Sequence, residues 1–241
     1  EADFGILQSL LQEKKQDAIV AQVDAFVKRY PQHPLASQAL MQLGDFFQQS
    51  RMQEKAMRTY QELIQLHPQS GWAAEGQFRL ALLLKRERRW AEAIEEIEKL
   101  IRNYPKTHLF ADAHVEAGDL YLLIKDHPKA VERYEWVLQN SSQPPLWRRA
   151  SLGMEEGYRN LGKNDLSEKI MKEMIGKFPQ EDFRFEGYLR LGLLYMNQKR
   201  YDDAISALSQ ALRSPEERVA GQAQYRLGEA YLGAGNKEMA I

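Results

Sequence analysis

The sequence predicts an all-α solenoid of antiparallel helix pairs, and three observations predict it. The first is a fixed period. Gly44, Ala81, Gly118, Glu155 and Gly192 lie 37 residues apart, and a step of 36 then reaches Gly228. Leu43, Leu80, Ala117, Met154, Leu191 and Leu227 precede these stations, and Phe47, Leu84, Tyr121, Tyr158, Tyr195 and Tyr231 follow them. The second is a small residue twelve positions on, at Ala56, Ala93, Ala130, Ser167, Ala204 and Ala240, with closing prolines at Pro31, Pro68, Pro105 and Pro179. The third is apolar spacing of helical period with no sustained alternation, which predicts helices and no sheet. Fixed-period self-similarity of this length marks a chain built from stacked units.

Each unit reads as two helices. In residues 34–68, Pro34 suits a first helical position, and Ala36, Leu40, Leu43 and Phe47 form one apolar stripe. A break near Gln49-Ser50-Arg51 precedes a second stripe of Ala56, Tyr60, Leu63 and Ile64, which Pro68 ends. The same reading places helix pairs near 2–14 and 16–30, 34–50 and 52–66, 71–87 and 90–104. Further pairs fall near 108–125 and 127–140, 144–161 and 164–178, 182–198 and 201–213. A last helix is expected near 215–234, where Ser214-Pro215-Glu216-Glu217 offers a serine cap and a proline at the first position. The expected units are 1–33, 34–70, 71–107, 108–143, 144–181, 182–214 and a truncated 215–241, forming one solenoid. Glu155 and Ser167 break the small-residue rule, so their unit is expected to be the most irregular. Ile241 falls just inside a second helix, and the chain reads as an excerpt of a longer protein.

Composition narrows the function classes. Charged residues make up 28% of the chain yet the formal net charge is -1, so the basic excess of a nucleic-acid binder is missing. The cysteine count is 0, which excludes disulfides, thiolate metal sites and cysteine nucleophiles. No apolar run is long enough to span a bilayer, and Glu1-Ala2-Asp3-Phe4 does not open like a signal peptide. His33, His67, His108, His114 and His127 show no ligand spacing. Gly233-Ala234-Gly235 lacks the preceding strand of a phosphate loop. These readings predict no catalytic, cofactor or metal residues.

The pattern of Leu43-Gly44 with Phe47, then Ala56 and Pro68, resembles the tetratricopeptide repeat, and the likeness runs through nearly the whole chain. The 37-residue unit with aromatic or histidine before proline, at Tyr30-Pro31, His67-Pro68, Tyr104-Pro105 and Phe178-Pro179, looks like repeats of bacterial envelope proteins. Outer-membrane assembly lipoproteins and Tol-Pal coordinators carry such units. The resemblance implies a right-handed superhelix with first helices lining a concave groove for peptides, and a periplasmic place with a cytoplasmic alternative. Carried onto this chain, the groove residues are Met41, Asp45, Gln48, Phe78, Leu82, Lys85, Val115, Asp119 and Leu122. In the later units they are Leu152, Glu156, Arg159, Leu189, Leu193, Met196, Tyr225 and Glu229. Chaperone-adaptor members grip a terminal carboxylate with Lys and Asn at these stations, and that clamp is absent here.

Each candidate has a plainer reading. The apolar row from Met41 to Tyr225 is either a groove or packing between repeats. Asp45, Asp119 and Glu156 either attract a basic partner or are solvated carboxylates, and Lys85-Arg86-Glu87-Arg88-Arg89 is either an anion-facing patch or a solvated turn. Trp72, Trp90, Trp136 and Trp147 read as packing anchors. The expected function is a non-catalytic scaffold that binds a protein or peptide, without nucleic acid and without membrane insertion. The alternatives are self-association through exposed repeat ends, or the regulatory arm of a larger protein.

Overall fold

The computed structural model describes residues 16–240, together with Gly5 and Ser9, both helical. The rest of the helix expected over 2–14 lies outside the described residues. Those described form α-helices and one short 3₁₀ turn, with no strand among them. The helices are α1 (Gln16–Arg29), α2 (Pro34–Gln49), α3 (Gln53–Leu66), α4 (Ala73–Arg86), α5 (Trp90–Asn103) and α6 (Phe110–Leu123). They continue as α7 (His127–Asn140), α8 (Pro144–Asn160), α9 (Asn164–Lys177), α10 (Arg184–Asn197), α11 (Tyr201–Ala211) and α12 (Glu217–Gly233). Even-numbered helices are the first of each pair. The chain divides into two compact units, Glu1–Leu120 and Tyr121–Ile241. Within each, a helix packs chiefly on those next to it in the chain, as stacked repeats require.

One device recurs at the hairpins from α2 onward. The second residue after the first helix adopts a left-handed backbone at Arg51, Arg88, Lys125, Gly162, Lys199 and Gly235, with φ between 59 and 81. These positions repeat the chain's own period, although only two are glycine. Around each, two hydrogen bonds close the helix. Arg51 N–H donates to Gln48 O at 3.1 Å and Met52 N–H to Phe47 O at 2.8 Å. The bond that spans more residues always ends on the station of Phe47: Leu84, Tyr121, Tyr158, Tyr195 and Tyr231 accept from Arg89, Asp126, Lys163, Arg200 and Asn236. This double closure satisfies the last carbonyls of the helix. The second helix starts two residues beyond Arg51, Arg88, Lys125, Gly162 and Lys199, so one turn geometry recurs along the chain.

The opposite connection is set by proline. His67, Tyr104 and Phe178, each before a proline, leave the helical region, with φ of -131, -127 and -126 and ψ of 52, 54 and 61, because the proline ring disfavours that region for the residue before it. Two consecutive turns then lead to the next first helix. Ser70 N–H donates to His67 O and Ala73 N–H to Ser70 O, and the pattern recurs at Thr107 and Phe110 and at Glu181 and Arg184. The added length of the unit therefore lies in this entry loop. His33 caps α2 directly, its Nδ1 accepting from Leu35 N–H at 3.1 Å. The serine cap expected for α12 is displaced. Ser214 Oγ accepts from Glu216 N–H at 3.2 Å, forming a local turn, and the helix begins at Glu217. Such short serine bonds compete with the helix.

Small stations fix the packing inside each pair. A Cβ added at Gly44 would press into the ring of Tyr60, a wholly buried side chain, and one at Gly192 would come within 2.6 Å of Leu208. A second small station, five residues earlier, faces the preceding pair. It holds Ala39, Gly76, Ala113, Ala150, Gly187 and Ala223, and a Cβ at Gly76 or Gly187 would meet Leu63 or Met174 at 2.8 and 2.7 Å. The unit of Glu155 and Ser167 does not become irregular as expected. Both its helices are full length, α8 over 17 residues and α9 over 14. The two departures face each other, Ser167 Oγ lying 3.2 Å from Glu155 Oε1.

Candidate functional site

The first-helix face is built from charged pairs that run from one first helix to the next. In the first unit Asp45 of α2 lies 3.2 Å from Arg79 of α4, and Lys85 of α4 lies 2.7 Å from Glu116 and 3.6 Å from Asp119 of α6. In the second unit Glu155 of α8 faces Arg190 of α10 at 3.6 Å, and Arg148 of α8 holds Glu186 of α10 at 2.8 Å. Glu186 in turn lies 3.9 Å from Arg218 of α12. Arg79, Glu116, Arg190 and Arg226 share a station two residues before the small one. That polar row at fixed period was the sequence signal for this ladder, and it went unread beside the apolar row.

The expected groove residues separate by burial. Met41 is 2% exposed and Val115 0%, so both fill space between helices and give the face no surface. Phe78, Leu82, Leu122, Leu152, Glu156 and Met196 are partly exposed. Asp45 and Gln48 are occupied by Tyr60, whose hydroxyl donates to Asp45 Oδ1 at 2.6 Å and Gln48 Oε1 at 3.0 Å. Burial first, then the Asp45 carboxylate, push this phenol far above its usual range. Arg159 Nε stands 3.4 Å from Glu155 and Glu229 2.8 Å from Arg226. Within the basic run, Lys85 goes to α6 and Arg89 binds Glu92 at 2.7 Å, while Arg86 and Arg88 are exposed. Trp147 is an anchor as expected, 6% exposed, whereas Trp72 is 39% exposed.

Leu189, Leu193 and Tyr225 do come together. They line a groove of about 550 Å³ between α10 and α12, with Arg190, Arg218, Arg226 and Glu186 around them. Tyr225 is 65% exposed, the highest value of any large hydrophobic side chain on the described surface. Gly221 leaves the α12 wall open, nothing lying within 4 Å of where its Cβ would be. The groove thus offers an apolar floor, one exposed ring and a basic rim, which suits an extended segment with an apolar residue and a carboxylate. No group of three or more metal-ligating side chains gathers among the described residues. No described helix is long and apolar enough to cross a membrane.

Stacked helix pairs with a groove on their first helices define a helical-repeat protein, of the class that works by holding other proteins. The chain belongs to the tetratricopeptide repeat-like domain family, whose model matches residues 2–155, and a tetratricopeptide repeat model matches residues 189–241. No curated protein matches it by sequence. Its fold is similar to a tetratricopeptide repeat protein from Parabacteroides merdae at TM-score 0.62 and 19% identity, covering 100% of this chain and 88% of the other. It is also similar to PilF of Pseudomonas aeruginosa, at TM-score 0.63 and 15% identity over 85% and 86% of the two chains. A third likeness is to YrrB, described as a repeat protein with an unusual peptide-binding site, at TM-score 0.55 and 17% identity over 76% and 87%.

Proposed function

We propose that this chain is a non-catalytic scaffold that seats an extended segment of a partner protein in the groove between α10 and α12. The observation that carries the reading is the groove itself, in which Leu189 and Leu193 form an apolar floor beside the ring of Tyr225 and under a rim of Arg190, Arg218 and Arg226. Burying such a ring under a partner releases about 1.5–3 kcal/mol, and aromatic anchors of this kind dominate interface energies. The peptide-binding site named for YrrB supports the same reading by analogy of fold. The envelope location implied by the aromatic-proline ends of the units belongs to the proposal, and fractionation of cells expressing the natural protein tests it.

The test of the site is selection of random peptides displayed on phage against the immobilised chain. Peptides enriched by this protein are expected to lose at least tenfold in affinity on Tyr225→Ala, while the circular dichroism and melting temperature stay the same. Equal binding by the variant would contradict the assignment.

A further inference from the structure

The aromatic that ends the first helix is shielded by a cation in three repeats. Lys55 Nζ stands 5.5 Å from the centroid of Phe47, Lys129 Nζ 5.3 Å from that of Tyr121, and the Arg200 guanidinium 4.3 Å from that of Tyr195. The two lysines share one station, eight residues beyond the ring. Counting 37 on from Lys129 gives Leu166, and the ring of that repeat is Tyr158. Phe47, Tyr121 and Tyr195 are buried, whereas Tyr158 is partly exposed and Leu166 is 38% exposed. Lys163, at the station of Arg200, is exposed at the start of α9 and outside the lining described next.

Tyr158 and Leu166 open on a pocket of about 270 Å³ between α7, α8 and α9, with Trp147 and Met154 in its walls and Glu135 and Glu173 at its edge. The walls are rigid. Trp147 Nε1 donates to Ser141 O at 2.6 Å, and Lys177 Nζ sits 3.7 Å from the indole centroid. Both carboxylates bear on Tyr158, where they add to burial in holding the phenol above its ordinary range. Lys169 is the cation of the lining, 3.8 Å from Glu173 on a side chain 69% exposed. An electron-rich ring, apolar walls and paired carboxylates together suit a long apolar stem with a positive end.

We propose that this pocket receives a lysine side chain from a partner protein, laid over Tyr158 as Lys55 and Lys129 lie over the rings of two earlier repeats, its ammonium facing Glu135 and Glu173. The site is separate from the α10–α12 groove, so either reading stands if the other fails.

Titration of the ¹⁵N-labelled full chain with Nα-acetyl-lysine methylamide, followed by NMR, tests it. The indole N–H of Trp147 and the amides of Tyr158 and Leu166 are expected to shift, with an affinity roughly five- to tenfold above that of the norleucine analogue. Leu166→Lys restores the repeat's own lysine at an exposed position and is expected to abolish these shifts while the other resonances stay in place. The pair Glu135→Gln and Glu173→Gln is expected to bring the lysine analogue down to the norleucine value. Equal binding of the two analogues, persistence of binding in Leu166→Lys, or shifts centred on Tyr225 instead would each overturn the proposal.

Discussion

Glu155 sits where the other repeats place glycine or alanine, and only 2% of it is exposed. A carboxylate that deep needs partners. Ser167, standing where the others have alanine, provides a hydroxyl 3.2 Å from Oε1, and Arg159 and Arg190 bring charge to 3.4 and 3.6 Å. The two exceptions to the repeat are therefore one feature. Ser167→Ala is expected to cost about 1–2 kcal/mol by urea unfolding, and clearly less in a Glu155→Ala background, where only the bond from the hydroxyl to the backbone carbonyl of residue 155, 3.3 Å in length, is left to lose. Equal losses in both backgrounds would show the pair to be uncoupled. Glu155 and Ser167 were visible in the sequence as departures, but that they compensate each other depends on which side chains meet across the hairpin. The same holds for Asp45, whose bond to Tyr60 spans 15 residues.

Among elements, the hairpin turn is the most regular part of the fold and was the least legible. Glycine marks the left-handed position only at Gly162 and Gly235, while Arg51, Arg88, Lys125 and Lys199 conceal it. Placing a side chain in that region costs about 1–2 kcal/mol. Lys199 is exposed, so Lys199→Gly is expected to stabilise the protein by roughly 0.5–1 kcal/mol after the extra entropy of unfolded glycine is subtracted. Gly162→Ala is expected to destabilise it, and thermal melting of both variants reads the two signs. Helix positions, by contrast, followed closely from apolar spacing and the closing prolines, because those signals are local.

Contacts between elements add a pH dependence. Glu168 of α9 meets Lys172 at 2.6 Å, Arg200 at 2.9 Å and the Tyr195 hydroxyl at 3.0 Å, and these partners, Lys172 foremost, hold its carboxyl below the usual range. A depressed carboxyl stabilises the fold above its unfolded pKa of about 4.3, and the benefit is lost as acid protonates it in the folded state. Glu168→Gln is therefore expected to be less stable than the parent at neutral pH and to converge with it below roughly pH 4. A gap that stays constant down to pH 3 would show that the ion pairs are not its source.

At the scale of the whole molecule, the repeat was legible because the chain states it six times, and the family match over 2–155 agrees with it. The surface proposed to bind was not legible. Position on a first helix does not distinguish Val115, wholly buried, from Phe78, partly exposed. What separates them is packing against neighbouring helices, which a periodic pattern does not encode. The central claim is that every helix pair depends on its neighbours alone, so the groove needs only the pairs around it. The direct measurement is made on the isolated segment 108–241, which holds α6 to α12. The account predicts an unchanged helical signal per residue and an affinity for Tyr225-dependent peptides within about threefold of the full chain. A segment that is unfolded, or folded and unable to bind those peptides, would contradict it.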